Sequence, residues 1–151
     1  MTITVEKGDP RHPQATALLR ASQALMQATF PAESNHYLSI DELCAPEITF
    51  FVARNGDKML GTAALADKTS YGEIKSMFVS PGARNTGTGS AILAAIEAEA
   101  RSNAHSHLRL ETGPELAAAI RLYRRHGFTF RGAFGDYRQD PLSVFMEKPL
   151  I

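Results

Sequence analysis

The sequence has no tryptophan and a single cysteine, Cys44, among 151 residues, so neither an internal disulfide nor a cysteine-rich zinc site can form. That usage suits a reducing compartment, and the expected location is cytoplasmic. An excess of either charge is also missing, because sixteen Lys+Arg balance sixteen Asp+Glu. Neutrality argues against nucleic acid as a principal partner, and any anion must be held locally. The longest apolar run, residues 91–96, falls far short of the roughly 18 residues that span a bilayer, so no membrane partner is expected. Residues 1–10 alternate in polarity and carry acidic groups, which does not read as a signal peptide.

What is there is ordinary for a globular protein: 44% hydrophobic and 21% charged residues. The length suits one domain over residues 1–151, and no repeat, low-complexity tract or linker interrupts it.

Ile3 and Val5 alternate with polar neighbours as in a short strand, ended by Gly8-Asp9-Pro10. Ala15, Leu18, Leu19, Leu25 and Met26 recur at helical spacing over residues 13–29, and Pro31 ends that helix. Ser39-Ile40-Asp41-Glu42 has the form of a capping box and opens a short second helix, cut off before Pro46. Residues 48–54 and 58–65 flank Asn55-Gly56-Asp57, a strong hairpin signal. A buried strand over 74–79 leads through a glycine-rich loop into an Ala/Leu/Ile helix over 88–102. A strand at 108–111 follows, then a helix from Pro114 to His126 stopped by Gly127, and closing strands at 128–131 and 143–148. The order predicts an α/β (α+β) fold, a mixed sheet with helices on its faces.

The loop Ser80-Pro81-Gly82-Ala83-Arg84-Asn85-Thr86-Gly87-Thr88-Gly89 joins a strand to a helix, where loop amides and the helix N-terminus converge on an anion. Gly87 and Gly89 let the backbone approach a ligand, Arg84 adds charge, and Thr86 and Thr88 offer hydroxyls. No Lys-Ser or Lys-Thr follows, so this is not a Walker A loop, and Ile92 stands where a third Rossmann glycine would be. On the loop alone, phosphate binding and a simple turning role for glycine are equally balanced.

The run Glu73-Ile74-Lys75-Ser76-Met77-Phe78-Val79 followed by Arg84-x-x-Gly87-x-Gly89 resembles the acetyl-CoA-binding signature of the GNAT superfamily of N-acetyltransferases. Ala119-Ile120-Arg121-Leu122-Tyr123-Arg124-Arg125-His126-Gly127-Phe128 resembles the family's second signature. Leu116 stands where many members carry Asn or Gln, and Asn85 replaces the usual glycine or basic residue. The resemblance implies a GNAT-like, largely antiparallel central sheet with helices on both faces, and acetyl-CoA as co-substrate. It implies that Met77, Phe78 and Val79 orient the acetyl-pantetheine arm, and that Arg84, Asn85, Thr86, Gly87, Thr88 and Gly89 hold the pyrophosphate.

Acetylating an amine requires a neutral amine, a stabilised oxyanion and a proton for the leaving thiolate. By resemblance, Glu73 is the candidate general base, with Glu111 in reserve, and Tyr123 the candidate acid. A structural alternative pairs Glu73 with Lys75 or Lys58. The acceptor, a small-molecule or peptide amine, is expected between residues 31–37 and 132–141, with Ser34, Asn35, His36 and Tyr137 as binding candidates beside Glu33, Tyr37, Asp136 and Arg138. A homodimer is compatible with the sequence.

No metal is expected. His105 and His107 lack a third ligand nearby and read as surface histidines, and Cys44 reads as a small buried hydrophobe. Arg121, Arg124 and Arg125 with His126 form a basic face, either solvated or in contact with the cofactor's ribose phosphate. The leading expectation is direct acetyl transfer to a primary amine in a ternary complex. The alternatives are a noncatalytic acyl-CoA-binding or sensing module and a nucleotide-binding protein using the same loop.

Overall fold

A computed structural model describes residues 2–150; residues 1 and 151 of the expected domain lie outside the described residues. The elements in chain order are β1 (Thr4–Lys7), α1 (Pro13–Thr29), α2 (Ile40–Leu43), β2 (Ile48–Asn55), β3 (Lys58–Asp67), β4 (Tyr71–Val79), α3 (Thr88–Ser102), β5 (His107–Thr112), α4 (Ala117–Arg125), β6 (Thr129–Arg131) and β7 (Val144–Pro149). Short 3-10 turns at Ala32–Ser34 and Pro81–Ala83 supplement them.

The strands form one sheet in the order β1-β2-β3-β4-β5-β7-β6. Every neighbouring pair is antiparallel except β4 and β5. Alternation along the strands sends Ala53, Ala63, Leu65, Ile74, Leu108, Leu110 and Met146 to one face, where they pack against Ile92, Leu93, Ile96 and Ala100 of α3 and Tyr123 of α4. Phe50, Val52 and Ala64 point the other way and meet Ala15 and Leu19 of α1 and Leu43 of α2. The mixed, mainly antiparallel sheet covered on both faces agrees with the expectation from sequence.

Local chemistry explains the helix ends. Pro13 sits in the first turn of α1, where its missing N–H costs nothing. Ser39 and Glu42 make both bonds of the capping box of α2. The third helix closes in a Schellman arrangement: Ala104, at φ 60°, donates to the Arg101 carbonyl, and His105 donates to that of Ala100.

Differences from the sequence reading have physical causes. The fourth helix begins at Ala117 instead of Pro114, because Gly113 to Leu116 close a turn through the Leu116 amide and the Gly113 carbonyl. At Gly113 itself, a Cβ would lie 2.1 Å from Cζ of Phe30, so the ring ending α1 occupies the space a side chain would need. Cys44 is exposed; it caps the C-terminus of α2, and its neighbour Leu43 supplies the buried side chain. His105 is buried, drawn inward by Asp67.

Candidate active site

The fourth strand is bent where the site forms. Its register with β3 shifts between Thr62 and Ala64, and Ser76 takes the left-handed conformation at φ 54°. The wholly buried Thr62 hydroxyl donates to the Ser76 carbonyl at 3.0 Å and holds the bulge in place. Pairing with β5 runs only from Tyr71–His107 to Ile74–Leu110. Beyond that point β4 continues to Val79 while β5 follows β7, so the two parallel strands part. One edge of residues 75–79 therefore faces a gap in the sheet with its peptide groups available to a ligand.

Below the gap lies the glycine-rich loop. Asn85 at φ 62° and Gly87 at φ 88° turn the chain into α3. Among the described residues, the backbone N–H groups from Asn85 to Ser90 have no protein acceptor, the arrangement that makes an anion-binding nest at a helix start. A Cβ at Gly82 or Gly87 would meet nothing within 4 Å, so the space above the loop is open. These donors fit a diphosphate, which would rest on residues 84–89. The loop's side chains contribute less than its amides. Thr86 Oγ1 donates to the Ala83 carbonyl at 2.5 Å and shares a hydrogen bond with the buried Thr88 hydroxyl at 2.8 Å. Arg84 is exposed and turns back toward the Val79 carbonyl, its Nε 3.3 Å away. Gly89 serves packing as well, since a Cβ there would lie 2.7 Å from Cδ2 of Leu122.

Tyr123 is buried beside Phe128 with ring centroids 5.7 Å apart, and its hydroxyl has no hydrogen-bond partner among the described residues. Burial, reinforced by the charge of Glu111, pushes its pKa up and keeps the phenol protonated. Met77 and Val79 pack against the α3 side of the core, and Phe78 is buried.

The opposite face of the sheet carries a cleft of about 1040 Å³ lined by residues from 33–48, from β3 and β4, and from 135–141. His36 and Tyr137 line it, with rings edge-to-face at 5.2 Å. Ser34 and Asn35 do not line it, which corrects their expected role. Ser34 is buried with its hydroxyl 2.8 Å from Asp140, and Asn35 turns toward the Phe30 carbonyl, so both hold the loop from behind.

Glu73 lies at the cleft floor, almost wholly buried. It accepts a 2.5 Å hydrogen bond from the Tyr137 hydroxyl and sits 3.4 Å from Lys75 Nζ. The pairing with Lys75 considered from sequence is thus present; Lys58, at the far end of β3, does not take part. Tyr137 is itself pushed up by burial and by the Glu73 charge, so its proton stays on the phenol. Burial raises the carboxyl of Glu111 to about 7, and the Ser143 hydroxyl and Lys75 ammonium oppose that only in part. Glu111 follows Leu110, the last residue of β5 paired with β4, and so stands where the gap opens; its charge adds to the upward shifts of Tyr123 and Tyr137. Lys75 was legible only as a partner for Glu73; its wider role had no signal in the sequence.

A strand gap flanked by an amide cradle and a polar cleft offers an anionic ligand one side of the sheet and a second molecule the other. Comparison gives the family. Residues 16–128 match the Acetyltransferase (GNAT) family, and the chain belongs to it. An IAA acetyltransferase from Azospirillum brasilense is 44% identical over 150 residues, covering 98% of each chain. A Klebsiella pneumoniae protein assigned as an acyl-CoA N-acyltransferase superposes with a TM-score of 0.83 at 35% identity, over 99% of both chains. A Bacillus subtilis acetyltransferase in complex with CoA shares the fold, with a TM-score of 0.73 at 16% identity over 99% of this chain and 100% of the other. The protein is an N-acetyltransferase, and its family uses acetyl-CoA.

Among the described residues no group of His, Cys, Asp and Glu could hold a metal ion, and no helix is long and apolar enough to cross a membrane.

Proposed function

We propose that the protein transfers acetyl from acetyl-CoA to a primary amine by direct attack in a ternary complex. The observation that carries this reading is the position of Glu111 at the parting of β4 and β5, next to Leu110, the last residue of β5 paired with β4. Bound acetyl-CoA supplies an activated acyl thioester. The amides of residues 85–90 hold its diphosphate, and the open edge of β4 near Met77 to Val79 aligns its arm.

An alkylamine with a pKa of about 10.4 is almost fully protonated at neutral pH, so the site must accept a proton. Glu73 and Glu111 are both candidates. We favour Glu111, because the Glu73 carboxylate is engaged by the Lys75 ammonium and the Tyr137 hydroxyl. A carboxyl near 7 is matched to neutral operation. Tyr123, protonated and with no other described partner, donates to the departing sulfur. Glu73 maintains the cleft floor. The acceptor enters beside His36 and Tyr137.

The test is a panel of amines screened for thiol release from acetyl-CoA, followed by mass analysis of the products. An acetylated amine formed at a rate dependent on Glu111 is expected; binding of acetyl-CoA with no transfer to any amine would favour a sensing module.

A further inference from the structure

The three segments that form the acceptor cleft converge on one atom. Lys75 Nζ donates to the His36 carbonyl at 2.8 Å and to the Tyr137 hydroxyl at 2.8 Å, and lies 3.4 Å from Glu73 Oε2. Two of the three N–H donors of the ammonium are thus taken by the two loops, and its charge is paired with the Glu73 carboxylate. Its side chain is only 12% exposed and that of Glu73 only 6%. The partners come from the loop after α1, from the loop between β6 and β7, and from β4 itself. Neither loop has regular structure at the contacting residue; the Tyr137 amide bonds only within its own loop, to the Phe134 carbonyl, and Gln23 and Gln27 tie residues 37 and 38 to α1, so Lys75 bonds each loop to β4.

We infer that Lys75 is the positioning residue of the acceptor cleft: its ammonium locks the loops bearing His36 and Tyr137 onto β4 and thereby sets the shape that selects the amine. This rests on the acetyl-transfer reading for its consequence, but the lock itself is made wholly by the chain's own residues. Lys75 touches no reacting atom in this scheme. Its two hydrogen bonds are made to the protein and its charge is paired with Glu73, so it acts on the acceptor through the shape of the cleft. The Tyr137 ring is set by the same lock: its hydroxyl donates to Glu73 while accepting from Lys75, and His36 meets its edge. A second tie, between Ser34 and Asp140, joins the two loops to each other but not to β4.

The experiment compares amide hydrogen exchange in the wild type, Lys75→Met, Lys75→Met combined with Glu73→Gln, and Tyr137→Phe. The double variant leaves no uncompensated buried carboxylate and guards against a general loss of folding. In both Lys75 variants, exchange in residues 31–38 and 132–143 should quicken by about tenfold or more, with α3 and β2 unchanged. Tyr137→Phe should loosen residues 132–143 alone, because the His36 carbonyl keeps its ammonium. With the best amine found by screening, Lys75→Met should raise the acceptor KM by about tenfold while leaving that for acetyl-CoA unaltered, and Lys75→Arg should recover part of the loss. Unchanged exchange in both loops, or faster exchange spread evenly over the sheet, would overturn the assignment. If the wild type acetylates no amine, the functional reading fails, and the exchange data still decide whether the lock exists.

Discussion

His105 Nε2 lies 2.9 Å from Asp67 Oδ1, and the opposite edge of the same imidazole is pressed against Gly72, where a Cβ would come within 2.9 Å of Nδ1. The contact ties the end of α3 to the β3–β4 turn, one residue before Glu73. The Asp67 carboxyl is held below the ordinary aspartate value by its hydrogen bond to His105 and by the Thr69 amide. A depressed carboxyl contributes stability that is present above its unfolded value and lost as pH falls through its folded one. Asp67→Asn should therefore flatten the acid limb of stability, measured as urea midpoints from about pH 6 down to about pH 3. A wild-type acid limb retained by the variant would remove Asp67 from that role.

Glu111 has the opposite sign. Its folded value of about 7 lies above the ordinary glutamate value of 4.5, so the folded state holds a proton that the unfolded chain has released across that window. Stability due to this group falls as pH rises from the lower value to the upper. Glu111→Gln should remove that loss, making the variant relatively more stable at pH 8 than at pH 5 by on the order of 2 kcal/mol, read by denaturant unfolding at both values. The same substitution should lower kcat by about 100-fold and abolish the rise of rate through neutral pH, as expected of a lost general base.

Tyr123→Phe deletes a hydroxyl with no hydrogen-bond partner among the described residues. Its packing against Phe128 survives, so thermal stability should change little. Steady-state kinetics should show kcat falling by about tenfold or more with little change in the KM for acetyl-CoA, the pattern of an interaction made only in the transition state. Unaltered turnover would remove the phenol from the acid role.

Gly61 and Gly87 separate packing from conformation. A Cβ at position 61 would come within 2.8 Å of the Phe78 carbonyl, a backbone atom that cannot swing aside. Gly61→Ala should cost about 1–3 kcal/mol in urea unfolding, as overpacking does. At Gly87 the space is open and the penalty is the φ of 88° alone. Gly87→Ala should cost roughly 1 kcal/mol and should raise the KM for acetyl-CoA by tilting the amide cradle.

Much of this architecture is written in short-range chemistry. Pro13 and Pro31 bracket α1, the reciprocal bonds of Ser39 and Glu42 open α2, and Asn55-Gly56 turns β2 into β3 with Gly56 at φ 58°. Each is decided by residues within a few positions, so local reasoning finds it. The two acceptor loops were legible as polar stretches between elements. Which of their residues face inward was not, because Ser34 answers to Asp140, 106 positions away, and Tyr137 to Glu73, 64 positions away. His105 looked superficial for the same reason: its partner Asp67 is 38 positions distant. Cys44 misled in the other direction. Its residue type favours burial, yet α2 is one turn long and turns only Leu43 fully inward.

The four-residue parallel ladder between β4 and β5 has a consequence for how the chain assembles. On one side, β2, β3 and β4 follow each other through tight connections and can zip up from neighbouring segments; on the other, β5 must await α3, and β7 arrives last. Low sequence separation speeds closure, so the N-terminal meander should gain protection before the C-terminal strands in pulse-labelled refolding. Catalytic competence would then emerge only at the final seam, since the groups it needs are divided between two halves of the chain that meet there.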